Sequence, residues 1–436
     1  MVMRVFSEGW SEARLKKLQN QNRNSLQRWQ RKQLKKFLLT GFPNSKIENW
    51  KYTDITPITS QTFSFEEISD CDITHFIMED THRIVFINGH FAPTVSNLMQ
   101  LPAEIQLTSL KAVLKENQKE IISEIRRYQT SFSLLNDSLF QDGMFLHVPK
   151  NYQLEKPIHL LYLMKPNFPF AMTQARHLIF IEENANVTLL EEYQWVNSTT
   201  YFNNIVTQIN VGASANLIFY KLQGENNNSF HIANTQISQA RNSQVISCHV
   251  SLGGALARED LNYALKGHNA SCQLLGLYHL KGGRHIDNHT RIDHDVSGCV
   301  SQQIYKGVIS DKSRAVFNGK IFVHPEAKKT IAHQINKNLV FSNEAEVNTK
   351  PELEIYNDDV KCTHGATVGQ LNDEALFYLC SRGIDRSEAE HLLACAFASE
   401  ITEQLPHKFI AKRIYQKIIK CLALLNYSGD SHDSFT

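Results

Sequence analysis

Between about residues 144 and 370 the sequence repeats itself weakly, at an interval that few folds require. A small or amide-rich turn precedes an apolar residue in Asn184-Ala-Asn-Val187, Ser214-Ala-Asn-Leu217, Asn242-Ser-Gln-Val245 and Ser271-Cys-Gln-Leu274, at spacings of 30, 28 and 29. Between these turns, short runs of Val, Ile, Leu, Phe and Tyr alternate with polar residues, as in His177-Leu-Ile-Phe-Ile181, Leu217-Ile-Phe-Tyr220 and Val245-Ile-Ser-Cys-His-Val250. That is the period-two pattern of strands, and no helix-length periodic segment interrupts it. A unit of about 29 residues holding several strands cannot bury its apolar face alone, so it implies a β-solenoid whose coils stack on one another. A large β-sandwich is the alternative, but sandwiches need no fixed period of that size.

The flanks differ. Residues 1–143 read as a mostly helical N-terminal domain, 144–371 as the β-solenoid core, and 372–436 as a C-terminal helical domain. In the first, residues 8–40 carry recurring Trp10, Leu15, Leu18 and Trp29 and stop at Gly41-Phe42-Pro43, a helix end. Ile84-Val85-Phe86-Ile87 before Asn88-Gly89 reads as a strand entering a turn, and a second helical stretch is expected over about 105–128. Asn372 can cap a helix that stops at Gly383, and Asp385-Arg-Ser-Glu388 has capping-box spacing. Two apolar stripes follow at helical spacing: Ala389, Leu392, Leu393, Ala396, Phe397 and Ile401, then Ile410, Ile414, Ile418, Cys421, Leu422 and Leu425. In a compact domain such stripes are core, whereas on a protruding cap one could dock into a partner's groove. The tail 428–436 is polar and expected to fray.

Composition excludes several classes. The 45 Lys and Arg balance 44 Asp and Glu to a formal net charge of +1, which gives no global electrostatic case for nucleic acid or a membrane surface. Ten basic groups against Glu8 and Glu12 within residues 1–40 read as a solvated helix face. No run approaches the roughly 18 apolar residues of a membrane span, and MVMRVFSEGW lacks the apolar region of a secretory signal. Eight cysteines without a CxxC fit reduced thiols, so a cytoplasmic location is expected. There is no GxxxxGK[ST], GxSxG, HExxH or paired CxxC.

Chemistry concentrates late in the chain. Eight histidines lie between 268 and 364 (His268, His279, His285, His289, His294, His324, His333 and His364). On a solenoid they could stack on one face and converge on a metal, although most read as surface or structural groups. His285-x3-His289 would suit a helix face, but Gly282-Gly283 argues against a helix there. Cys362-Thr-His364 is the best local pair, because i and i+2 side chains of a strand share a face. Thiolate beside neutral imidazole suits zinc, soft iron sites or iron–sulfur species. Lys361 would face the other way, with a charge close enough to favour thiolate. The alternative is a small buried hydrophobe beside a hydrogen-bonded imidazole.

Five ordered segments carry a resemblance. They are Phe42-Pro-Asn-Ser-Lys-Ile-Glu-Asn-Trp-Lys-Tyr-Thr53; Leu135-Asn-Asp-Ser-Leu-Phe140 with Asp142-Gly143 and Val148-Pro-Lys150; Gly282-Gly-Arg-His-Ile-Asp-Asn-His-Thr290; Leu353-Glu-Ile-Tyr-Asn-Asp-Asp-Val-Lys-Cys-Thr-His-Gly-Ala-Thr-Val-Gly369; and Leu376-Phe-Tyr-Leu-Cys-Ser-Arg-Gly-Ile384. Over most of its length the chain resembles the SufB/SufD family of iron–sulfur cluster assembly subunits. The resemblance implies a mainly β fold, a right-handed parallel β-helix flanked by N-terminal and C-terminal helical domains. It implies a non-catalytic scaffold that pairs through the β-helix with a SufB-like paralogue and binds a SufC-like ABC-type ATPase through the C-terminal helices. A homodimer is the alternative assembly of the isolated chain; no nucleic acid and no membrane partner are expected. A transient iron–sulfur cluster, with no permanently bound cofactor, would form at the shared interface. His364 would contribute by motif and Cys362 is the neighbouring candidate ligand for cluster and metal.

One departure favours the SufD side of the family. SufB-like chains have a cysteine directly after the Phe-Tyr of the last segment, where this chain has Leu379; Cys380, one residue later, is turned by about 100° on a helix. Cys380 therefore does not inherit the paralogue's scaffold role. Two further readings remain: a β-helix enzyme acting on polysaccharide, and a purely architectural subunit with no ligand role.

Overall fold

A computed structural model describes residues 24–125 and 130–423. Sixteen strands from Met144–Val148 to Val360–Gly369 alternate between two sheets, and within the solenoid each pairs in parallel with the strand of the same sheet in the adjacent coil. The result is a mainly β chain with a solenoid of about eight turns and helices toward both termini. The expected fold class holds.

The turn signal in the repeat has a physical cause. At one corner of each coil a single residue adopts a left-handed φ, between 54° and 78° at Asn151, Asn184, Ser214, Asn242, Asn269, Gly298 and Lys329. Each donates its N–H to a carbonyl of the next coil, for example Asn184 to Ala213 and Asn242 to His268. Asn tolerates this conformation better than most residues. At six of these seven corners the following residue (Ala185, Ala215, Ser243, Ala270, Cys299 or Thr330) is small and fully buried, because the chain bends tightly inward there; at the first it is the half-buried Tyr152. The true register pairs Val187 with Leu217, Leu217 with Val245 and Val245 with Cys272. The fourth turn of the sequence repeat is thus Asn269-Ala-Ser-Cys272, two residues before the position read from the sequence.

Inside the coils, apolar rungs stack from Ile84 to Phe317. Phe86, Tyr162 and Tyr193 lie on successive strands with ring centroids 4.9 and 5.2 Å apart. At the N-terminal end, helices Ser25–Thr40 and Ser131–Leu139 pack on the outer face of the first sheet against Met172, Phe202, Phe230 and Leu256. Strand His82–Ile87 extends the second sheet by pairing with Ile158–Met164. The region read as one helix over 105–128 is strand Gln106–Ser109 followed by helices Leu110–Glu116 and Gln118–Glu124, broken where Asn117 leaves helical geometry (φ −123°, ψ 45°).

The C-terminal helices do not stand off the end of the solenoid. Helix Asp373–Ser381, capped by Asn372, is followed by Arg386–Thr402 and Lys408–Leu422, which run back over the outer face of the second sheet. Ile410, Ile414, Ile418 and Leu422 are buried together with Tyr220, Leu222, Val250, Leu275 and Leu277. At roughly 1.5–3 kcal/mol per buried aliphatic side chain this stripe is core, so it is no free docking face. Glu192, fully buried on that sheet, clamps it with Arg413 at 3.1 Å, Lys417 at 2.9 Å and His159 at 3.0 Å. Asp385 caps its helix through the Ser387 N–H rather than through a reciprocal capping box. Trp10, Leu15, Leu18, the basic residues up to Arg23, Leu425 and the tail 428–436 lie outside the described residues.

Candidate functional site

The solenoid changes at its last coil. In strand Thr330–Val340 buried and exposed residues alternate, whereas in the following strand of the same sheet, Val360–Gly369, no residue is buried. This strand ends the sheet and pairs on one side only. Register places Cys362 beside Ala332 and His364 beside Gln334. Ala332 and Gln334 are fully buried inside the coil, and side chains of register partners share a face. Cys362 and His364 therefore both face the interior, at the end where no further coil covers it. Cys362 is half-buried against Ile321, Val323, Ala327 and Ala332; His364 is exposed. Thr363 between them faces outward, 2.7 Å from His333 Nδ1.

Burial pushes the Cys362 thiol above its ordinary value, only partly offset by a backbone hydrogen bond from Ala332. Lys361, paired with Ile331 on the outer side, does not reverse that, contrary to the sequence expectation. Metal coordination would favour the Cys362 thiolate against this burial.

The interior behind the pair is lined by polar, uncharged groups. Gln303, Gln334 and His364 occupy one register line across three strands. Gln334 Nε2 donates to Gln303 Oε1 at 3.2 Å, and Gln303 Nε2 to Thr290 Oγ1 at 2.7 Å. Beside them Asn336 donates to the Tyr278 hydroxyl at 3.0 Å, Tyr278 donates to Asn338 Oδ1, and Thr349 closes the end by donating to Asn336 Oδ1 at 2.8 Å.

The other histidines do not converge. His279 and His294 are buried, and burial pushes them down to about 3 and about 4, so they are neutral. His285 meets Thr53 Oγ1, His289 pairs with Asp287, His324 with Asp295, and His268 is exposed. Among the described residues no group of three or more His, Cys, Asp or Glu is arranged to hold a metal ion. What the sequence reading missed lies deeper in the lumen: Lys221 pairs with Glu259 at 2.5 Å, Thr207 donates to Glu191, and His231 meets Glu225 at 2.7 Å. Burial raises the Glu191 carboxyl. It also raises that of Glu259, but Lys221 and His249 outweigh it. Only the exact register would have revealed that these charges point inward.

Two of the quoted segments meet in space. Trp50 lies under the Arg258 guanidinium at 3.8 Å, and Thr53 donates to Asp287 Oδ2 at 2.6 Å. Arg258 spans Asn49 O, Asp260 and Asp287. A third segment is a second lock: Asn136 donates to the carbonyls of Ala175 and Asn204, and Asp137 pairs with buried Arg176. These motifs fasten the N-terminal part to the solenoid. The segment containing Cys362 and His364 makes no such fastening.

A family profile described as "SUF system FeS cluster assembly, SufBD core domain" matches residues 163–397. A second, "SufBD protein N-terminal region", matches 8–160. The chain belongs to the SufBD family. The iron–sulfur cluster assembly protein SufD of Escherichia coli K12 is 34% identical over 88% of this chain and 90% of its own length. An iron–sulfur cluster assembly SufBD family protein of Synechocystis is 35% identical over 86% of each. "Protein ABCI7, chloroplastic" of Arabidopsis thaliana is 28% identical over 88% of this chain and 84% of its own length. The SufBD core match covers the solenoid from the end of strand Ile158–Met164 through the exposed terminal strand, helix Asp373–Ser381 and most of helix Arg386–Thr402.

Proposed function

We propose that this SufBD family chain is a non-catalytic, cytoplasmic scaffold subunit on which an iron–sulfur cluster is assembled jointly with a partner. The terminal coil pairs with a SufB-like paralogue, and the nascent cluster forms where the two meet. His364 supplies a neutral imidazole and Cys362 a thiolate formed on metal binding. The observation that carries this reading is the placement of both on the inner face of the strand that ends the second sheet, whose outer edge is unpaired. Two donors are an incomplete set for an iron site, so the remaining ligands come from the paralogue, consistent with Leu379 standing where SufB-like chains have a cysteine.

A SufC-like ATPase is recruited through the C-terminal helices. Support for this is confined to side chains the fold leaves uncovered: Phe377 is 75% and Tyr378 57% exposed, on a helix that buries only Leu376. Co-expression with both partners and affinity capture tests the assembly. Val368→Asp, an inward-facing substitution at the open end, is expected to lose the paralogue and keep the ATPase. Retention of the paralogue by that variant would refute pairing through the last coil.

A further inference from the structure

Gln334 is fully buried, yet its Oε1 has no hydrogen-bond partner among protein groups. A buried, unpaired amide oxygen costs on the order of 1–3 kcal/mol, so its persistence calls for an explanation. The chain of amides leading to it has a direction. Thr290 accepts from Gln303, and Gln303 accepts from Gln334. Both Gln334 and Gln303 therefore turn their NH2 groups inward, leaving Gln334 Oε1 as the acceptor at the outer end. The next position on that register line is His364, one strand spacing away, about 4.8 Å, and on the same face. The opposite wall is fitted to this amide. A Cβ on Gly319 would lie 1.6 Å from Gln334 Nε2, so only glycine there leaves the side chain room.

We propose that Gln334 is a positioning residue for His364: its Oε1, unpaired in this structure, accepts the imidazole N–H once the exposed ring rotates toward its register neighbour, which fixes one tautomer and turns the lone pair of the other ring nitrogen toward the open end. Ligating histidines commonly hold their second nitrogen in this way, and loss of such a partner typically costs 10–100-fold in metal affinity. The inference rests on the ligand role of His364 proposed above, and it adds what orients that ligand. Gln303 and Thr290 extend the relay into the fold, so a ring at the exposed edge is aligned from the rigid interior.

The test uses the full chain carrying ¹⁵N-labelled histidine, with the His364 ring resonances assigned by their loss in His364→Ala. In the unsubstituted chain the two ring nitrogens are expected to differ as one protonated and one lone-pair nitrogen of a single tautomer. Gln334→Leu removes the acceptor, and the two shifts should move toward each other. Gln334→Glu restores an acceptor and should restore the separation. Gly319→Ala, which displaces Gln334 without altering it, should act like Gln334→Leu; circular dichroism identifies the variants that remain folded. On the co-purified complex, Gln334→Leu is expected to lower cluster loading about tenfold. Unchanged ring shifts in folded Gln334→Leu would overturn the proposal. If His364→Ala abolishes loading while Gln334→Leu loads normally, the ligand stands and the positioning role falls; if His364→Ala loads normally, both fall.

Discussion

The two ends of the solenoid are built from the same repeat and treated in opposite ways. At the first coils, strands Ile158–Met164 and Ala171–Ile181 are buried almost throughout, under helices and a strand contributed by the N-terminal residues. At the last coil, strand Val360–Gly369 keeps the same parallel register but has no buried residue. Polar groups follow this difference. Near the closed end they are charged and locked in pairs, such as Arg176 with Asp137 and Glu192 with Arg413. In the interior near the open end they are neutral amides and hydroxyls, with an imidazole and a thiol at the edge. Elements at the covered end hold the fold together; those at the uncovered end are the ones proposed above to serve chemistry shared with another molecule.

That contrast can be broken most forcefully at the closed end. Arg176→Ala leaves the Asp137 carboxylate unpaired at 4% exposure and should cost about 3–5 kcal/mol in chemical denaturation. Glu192→Gln follows, at about 2–3 kcal/mol, with faster amide exchange in Lys408–Leu422. Burial would raise the Glu192 carboxyl, but His159, Lys417 and Arg413 reverse that and hold it well below the ordinary range. Its stabilising contribution is therefore complete above the unfolded value of about 4.3 and declines as pH falls below it. Acid should loosen the C-terminal helices in the unsubstituted protein and have less added effect in Glu192→Gln. Thr53→Val, which removes one hydrogen bond to the buried Asp287 carboxylate, should cost about 1.5 kcal/mol by thermal denaturation. Smallest of all, His364→Ala should change stability by less than about 1 kcal/mol, as loss of an exposed side chain with at most one hydrogen bond does. A large destabilisation there would erase the distinction between the two ends.

Strand periodicity and the turn repeat made the solenoid legible, because each coil needs one left-handed corner and one small buried residue after it. The repeat was misread by two residues at its fourth turn, since Ser271 and Asn269 are equally plausible turn residues until a register is imposed. Cys362 and His364 were placed on a common face by alternation alone. Glu191 and Glu192 show where such reasoning stops. They are neighbours on one strand, so one must face inward and one outward, yet both are fully buried. One sits in the lumen near Lys221 and the other beneath a helix that begins more than two hundred residues later. Nothing local marks the outer one as covered. Gln303 and Gln334 were invisible for a related reason: their meeting depends on a coil of 31 residues, longer than the average repeat. The C-terminal stripe was identified correctly as apolar, but its partner surface is set by Glu192 and its cations, which alternation cannot reveal.

The most direct test of the division is cluster reconstitution on the complex co-purified with the paralogue and the ATPase, comparing the unsubstituted chain with His364→Ala and the Cys362→Ser/His364→Ala pair. The expected result is intact complex, unchanged melting and a large loss of cluster absorbance in His364→Ala, with no further loss of complex in the double variant. Full cluster yield in the double variant, on an intact complex, would contradict the account and leave the open end a purely architectural surface.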